Sequence, residues 1–240
     1  VSVDLIQRAT AKHWVFCNFA AMNPQLIPVI IANLSYSIVE YDYKFCKYRS
    51  IEKHQEAEDS PCDCHDQMQG KLTSAFFHGA DNTFWMSQKQ SDLYTERFPF
   101  LSGGNNHILS SVFTDETLGL LNSLRGQYLN DKSEKWIVIG SPSWIKGAQE
   151  AETYCIENNL EYEVVWGLPY REMLEKLAQS KGHVYLPPGG DTCPRAVIEA
   201  KLLGCELILN DNVQHANEEW FNQDLEEIES YLKDSTSRFW

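Results

Sequence analysis

No apolar run in this 240-residue chain is long enough to cross a bilayer as a helix. The longest, Leu26 to Leu34, is broken by Pro28 and Asn33 and falls far short of the ~20 residues such a helix needs. Glycine and proline are scarce, at 13 and 9 residues, which excludes a collagenous or low-complexity chain. Basic residues are also few: 20 Lys and Arg against 34 Asp and Glu leave a net charge of −14. Nucleic acid and anionic membrane both call for a basic face, so neither is an expected partner, and an anionic ligand has to be held by local groups. The cysteines are Cys17, Cys46, Cys62, Cys64, Cys155, Cys193 and Cys205. Their odd number, and the apolar segments around several of them, argue for reduced thiols in the cytoplasm and against a disulfide framework. No basic-then-apolar stretch opens the chain, which starts at Val1 rather than Met, consistent with removed residues or with a fragment.

What is present suffices for a core, with hydrophobic residues at 43% and aromatics at 12%. Strand-like apolar runs alternate with helix-length segments, the pattern of an α/β architecture with mostly parallel sheets. In the first half, strands are predicted over 13–19, 36–42, 82–87 and 108–113, with helices over 24–34 and 91–98. A second series follows, with strands over 135–140, 161–166, 183–186 and 206–210. Its helices are predicted over 145–158, 170–180, 194–203 and 217–233. Turn-rich segments at 102–106 and 126–133 put a boundary between about 104 and 133, so two small domains are expected over 1–113 and 114–240. The charged, apolar-poor stretch 50–69 reads as a surface loop.

The most informative stretch runs from Tyr185 to Cys205. A strand ends in a Pro/Gly-rich loop, Pro194 stands where a first helical residue belongs, and Gly204 stands where a helix-ending glycine belongs. Such a loop presents a helix N-terminus, whose free N–H groups and dipole suit a phosphate, although an ordinary strand-to-helix turn has the same appearance. Arg195 in that first turn calls for an anionic partner, either a ligand or Glu199 one turn on.

These residues carry a resemblance. Asp191 and Glu199, eight positions apart and followed by Ala200 and Gly204, resemble the paired-acid motif of the GT-B glycosyltransferases of family 4, retaining enzymes that use nucleotide sugars. Gly140-Ser141-Pro-Ser-Trp-Ile-Lys146-Gly147 is similar to the strand-loop of that family that ends in Lys-Gly. Gly167-Leu168-Pro169-Tyr170 matches its base-facing segment, and Tyr185-Leu-Pro-Pro the strand before the acids. In the first half, Ile38 to Asp42 resembles the strand whose end faces the donor sugar, with Tyr41 where the family has His. The match spans about Lys135 to Gln214. The family has an Arg at the position of Ser141, and its first acid is a Glu followed by a Gly-aromatic-Gly run where Asp191 precedes Thr192, Cys193 and Pro194 here.

The resemblance implies two Rossmann-like domains, the first reduced, and sugar transfer from a nucleotide diphosphate donor to a glycan, lipid or protein acceptor. It implies Lys146, the helix start at Thr192, Cys193 and Pro194, and Arg195 as contacts of the diphosphate, and Glu199 as the contact of the ribose. Asp191 would meet the sugar, and of Glu40 and Asp42 only one, Asp42, would face it from the first domain. No metal or cofactor is implied. A noncatalytic nucleotide-sugar or glycan binder on the same fold is the alternative.

Cys62, Cys64 and His65, with Cys46 and His54 nearby, offer soft ligands, but Cys-x-Cys-His is not a usual zinc spacing. The expectation there is a loop with incidental thiols and no metal, a zinc-stapled interaction module being the other reading. His78, His107 and His215 have no nucleophile and acid at a recognisable spacing, so a hydrolytic triad is unsupported.

Overall fold

Every strand ladder in the computed structural model, which describes residues 1–240, is parallel. The strands form two four-stranded sheets, and the chain divides into two units: Val1–Ser110 with Phe239, and Ser111–Arg238 with Trp240. This is the Rossmann-type α/β architecture that the alternation of apolar runs implies. No helix is long and apolar enough to cross a membrane.

Unit 1 contains β1 (His13–Phe16), β2 (Ser35–Glu40), β3 (Asn82–Trp85) and β4 (Asn106–Ile108) in the order β1-β2-β3-β4. Its helices are α1 (Val3–Arg8), α2 (Ile27–Asn33), α3 (Ile51–Glu58), α4 (Met68–His78) and α5 (Gln88–Arg97). An inner strand covered on both faces has to be apolar nearly throughout, and Tyr36 to Glu40 of β2 are all buried. The core is aromatic: Phe77 stacks on Trp85 at 5.3 Å, and Phe45, Tyr94 and Phe98 pack edge-on and tilted around them.

Unit 2 contains α6 (Asp115–Tyr128), β5 (Trp136–Ile139), α7 (Ala148–Glu157), β6 (Tyr162–Val165), α8 (Tyr170–Gln179), β7 (Gly182–Tyr185), α9 (Arg195–Leu202) and β8 (Glu206–Leu209). It continues into α10 (Leu225–Lys233) and α11 (Ser235–Phe239). Here the core is aliphatic, with Leu118, Leu121 and Leu124 of α6 against Leu174 and Leu177 of α8 and Val197 and Ile198 of α9. Gly204 takes the left-handed conformation expected just past a helix end, at φ +72°.

Several sequence expectations are corrected. Residues 50–69 are only in part a loop: the Ser50 hydroxyl accepts from the Lys53 N–H and caps α3, a helix concealed by its charged exterior. The strand expected over 108–113 is β4, which ends at Ile108. The terminal helix starts at Leu225, not 217, because Asp224 accepts from the N–H groups of Glu226 and Glu227 and sets its beginning. A helix with no counterpart among the expected elements, α6, occupies fourteen residues and is capped by Thr114.

Candidate functional site

The sheet of unit 2 has the order β6-β5-β7-β8, so the chain leaves β5 toward one side and returns to its other side with β7. Ligands of open α/β sheets bind at the carboxyl ends of the two strands where the order reverses, here β5 and β7. The sheet of unit 1 runs in simple sequence order and has no such point.

The loops after β5 and β7 meet closely. Gly140 ends β5 with its N–H on the Val165 carbonyl, and a Cβ there would stand 2.8 Å from the Trp166 ring. The Ser141 hydroxyl accepts from the Ser143 N–H and shapes the turn into a short 3-10 segment, Trp144–Lys146. Gly147 then takes φ +60°, and a Cβ on it would lie 2.1 Å from the Leu186 carbonyl oxygen, so only glycine lets the two loops touch. This contact brings Lys146 Nζ to 2.8 Å from Asp191 Oδ2. The Tyr185 hydroxyl donates to the same oxygen, and burial together with the Asp191 charge pushes its pKa up, so it remains a donor. The backbone of Asp191 is fixed in turn: its N–H donates to Asn212, and its carbonyl accepts from Gln214.

Glu199 lies one turn into α9, with its side chain 2% exposed. Its Oε1 accepts from the Tyr170 hydroxyl at 2.6 Å and from Arg195 Nε at 2.7 Å. Burial first, and Glu199 second, push the Tyr170 hydroxyl up to about 12. Arg195 also lies 4.3 Å over the Phe113 ring and donates to the Val112 carbonyl. Of the two partners open to Arg195, the structure therefore shows Glu199. Pro194 is the N-cap of α9 rather than its first helical residue, and no side chain caps this end. Thr192 and Val213 are buried beside it, and the Cys193 carbonyl accepts from the Ser111 hydroxyl. Burial pushes the Cys193 thiol up to about 12, which keeps it protonated. Gly167, at φ +64°, begins the loop that leads to α8, and Leu168 and Tyr170 there are exposed, as is Trp166 before them.

Nearly all the residues expected to hold the donor thus lie on the loops after β5, β6 and β7. Sequence reasoning missed Tyr170 and Tyr185 as partners of the two acids. Tyr185 stands six residues before Asp191 and Tyr170 twenty-nine before Glu199, and no periodic pattern signals contacts made through loops.

Asp42 lies in unit 1, just beyond β2. Its carboxylate pairs with Lys44 at 3.2 Å and with Arg49, whose Nε is 2.8 Å away. Lys44 Nζ is also 2.8 Å from Glu40 Oε1, which accepts the Asp42 N–H as well. Burial pushes the Glu40 carboxyl up to about 8, against the pull of Lys44. Glu40 and Asp42, two residues apart, both converge on Lys44. A cavity of about 620 Å³ opens beside them, lined by Phe19, Asn23, Lys44, Lys47, Arg49 and Leu72 among others.

His215 is fully buried between Trp220 and Phe221, and neither ring nitrogen has a partner. Burial lowers its pKa to about 3, and lowers that of His183 to about 4. As pH falls below ~6.5, imidazoles of the unfolded chain take up protons that the folded state refuses, so this contribution to stability is complete above that pH and is lost on acidification. His215 alone then accounts for about 2 kcal/mol between pH 8 and pH 5. His215→Phe should recover that amount at pH 5 relative to its effect at pH 8, measured by urea unfolding. The same change in stability at both pH values would contradict the assignment.

No family model matches the chain, and no curated protein matches it. Solved structures do. The fold they share with it is that of GT-B glycosyltransferases. A sucrose-phosphate synthase from Thermosynechococcus elongatus aligns over 98% of this chain and 68% of its own, with TM-score 0.59 and 14% identity. A UDP-forming α,α-trehalose-phosphate synthase from Burkholderia xenovorans aligns over 97% and 70%, with TM-score 0.55 and 9% identity. The Anabaena protein HepE, solved with UDP, aligns over 98% and 77%, with TM-score 0.53 and 11% identity.

Proposed function

We propose that this chain transfers a sugar from a nucleotide diphosphate to an acceptor hydroxyl, with retention at the anomeric carbon as the resemblance implies. One observation carries the reading: at the reversal point of the unit 2 sheet, the glycine-mediated meeting of two loops places Lys146, Asp191 and an uncapped helix start together. In this reading Lys146 and the first N–H groups of α9 take the diphosphate. Glu199 takes the ribose hydroxyls, held toward them by Tyr170 and Arg195. Trp166 to Leu168 lie along the base, and Asp191 contacts the sugar. Asp42 is proposed as a further carboxylate contact of the donor sugar. The bond from the anomeric carbon to the phosphate oxygen breaks, and its electron pair leaves with the diphosphate. The acceptor oxygen bonds to that carbon, and its proton passes to the departing phosphate or to solvent. Stabilising the departing charge is the electrostatic task for which Lys146 and the backbone amides are suited.

A second reading, a noncatalytic binder of nucleotide sugars, is favoured by the way both local cations are already paired, Lys146 with Asp191 and Arg195 with Glu199. Turnover separates the two readings. The test is a thermal-shift screen with UDP, GDP, ADP and their sugars, followed by calorimetry and a donor-hydrolysis assay. One diphosphate should raise the melting temperature, because it binds only the folded state. Glu199→Gln should weaken that nucleotide by roughly tenfold or more, as expected for a hydrogen bond to a charged group. Unchanged affinity in the folded variant would remove Glu199 from the ribose, and the absence of any shift across the panel would remove the nucleotide site.

A further inference from the structure

Four soft ligands converge in unit 1. Cys46, His54, Cys62 and Cys64 are all buried, and their ligating atoms lie within 4.8 Å of one another. His54 Nδ1 is 3.7 Å from Cys46 Sγ and 3.3 Å from Cys64 Sγ. The Cys62 thiol is in hydrogen-bond contact with both Cys46 and Cys64. A tetrahedral zinc with Zn–S of ~2.3 Å and Zn–N of ~2.0 Å has S···N edges near ~3.5 Å and S···S edges near ~3.8 Å, so the observed spacings already approach that polyhedron.

We infer that Cys46, His54, Cys62 and Cys64 form a structural zinc site of the Cys3His type. Thiolate and imidazole ligands select zinc over the hard cations, which prefer oxygen. Four protein ligands close a tetrahedron and leave no position for water or substrate, so the metal has a structural and not a catalytic part. Three of the ligands flank α3, and the fourth, His54, lies on it, so one ion fixes both ends of this charged helix to the loop after β2. That loop carries Lys44 and Arg49 onto Asp42. A stretch with so few apolar residues has little else to bury, which explains why three cysteines and a histidine form its interior. His65, the residue nearest in sequence to the cysteine pair, takes no part: it faces Arg97 at 3.2 Å and Asp66 at 3.4 Å. The Cys-x-Cys-His spacing was thus a poor guide because the histidine comes from α3, ten residues before Cys64. An open cavity of about 520 Å³, lined in part by Lys47, His54, Cys64 and Gln67, gives the ion a way in.

The whole chain, purified without chelator, should contain one zinc per molecule by elemental analysis. Exchange for Co²⁺ should give the thiolate charge-transfer and tetrahedral ligand-field bands of a Cys3His site. Removal of the metal should lower the melting temperature by roughly 10 °C or more, since metal binding is coupled to folding, and added zinc should restore it. Cys64→Ser should lose the zinc and His65→Ala should keep it. If Cys64→Ser fails to fold, the metal content and cobalt spectrum of the natural sequence still decide. Less than stoichiometric zinc with no tetrahedral cobalt spectrum, a disulfide among the three cysteines, or stoichiometric iron in zinc's place would each overturn the assignment.

Discussion

Gly147→Ala is expected to cost about 3–5 kcal/mol, because two penalties act at one atom. The first is the left-handed backbone, φ +60°, which disfavours any Cβ. The second is steric: the new carbon would lie 2.1 Å from the Leu186 carbonyl oxygen and 2.7 Å from the Pro187 nitrogen, backbone atoms that cannot turn aside as a side chain could. Gly167 supplies the control. It has nearly the same φ, +64°, but nothing lies within 4 Å of its added Cβ, so Gly167→Ala should lose only the conformational part, about 1–2 kcal/mol. Urea unfolding of the two variants side by side therefore separates strain from contact. Similar losses at both positions would mean that the meeting of the β5 and β7 loops does not constrain the fold. The functional consequence follows from the position of Lys146, next to Gly147. Pushing the loops apart separates Lys146 from the start of α9, the two groups proposed to take the diphosphate, so a surviving Gly147→Ala should also bind it less well.

The parts of the fold that were legible in the sequence are those in which burial and local chemistry agree. β5, β7 and α9 stand out because a short buried strand, a Pro/Gly loop and a glycine-ended helix each leave a mark within a few residues. The same holds for Gly140, Lys146, Gly147, Asp191 and Glu199, whose order along the chain matches the order of loops at one end of a parallel sheet. α3 and α6 were not legible. α3 presents a charged face that hides one buried edge, Ile51 and His54, and α6 stands in a stretch whose glycines and polar residues resemble turns. The pairing of Arg195 was left open for a physical reason: a cation in the first turn of a helix is equally explained by a bound anion or by a carboxylate one turn later, and only coordinates distinguish them. The burial of His215 was not legible because the aromatic residues that enclose it, Trp220 and Phe221, follow it in a single short 3-10 turn with no period to read.

Lys146→Ala should weaken the preferred nucleoside diphosphate by about ten- to a hundredfold and leave the corresponding nucleoside nearly unaffected. A charge-assisted hydrogen bond contributes roughly 1.5–3 kcal/mol, and the nucleoside has no group for Lys146 to meet. The ligand-free protein should lose little, since the Lys146–Asp191 pair has its lysine 40% exposed and exposed pairs contribute at most about 1 kcal/mol. Asp191→Asn gives the opposite pattern. It removes the carboxylate that competes with the diphosphate for Lys146 while keeping a group that can receive the Tyr185 hydroxyl, so diphosphate affinity should hold or rise. If Asp191 serves the sugar, transfer should fall nevertheless. The two variants thus divide binding from chemistry at a single ion pair: one loses the diphosphate, the other retains it and loses turnover. An equal loss of diphosphate and nucleoside in Lys146→Ala, read by calorimetry, would show that the lysine supports the fold of the loop and does not meet the phosphates.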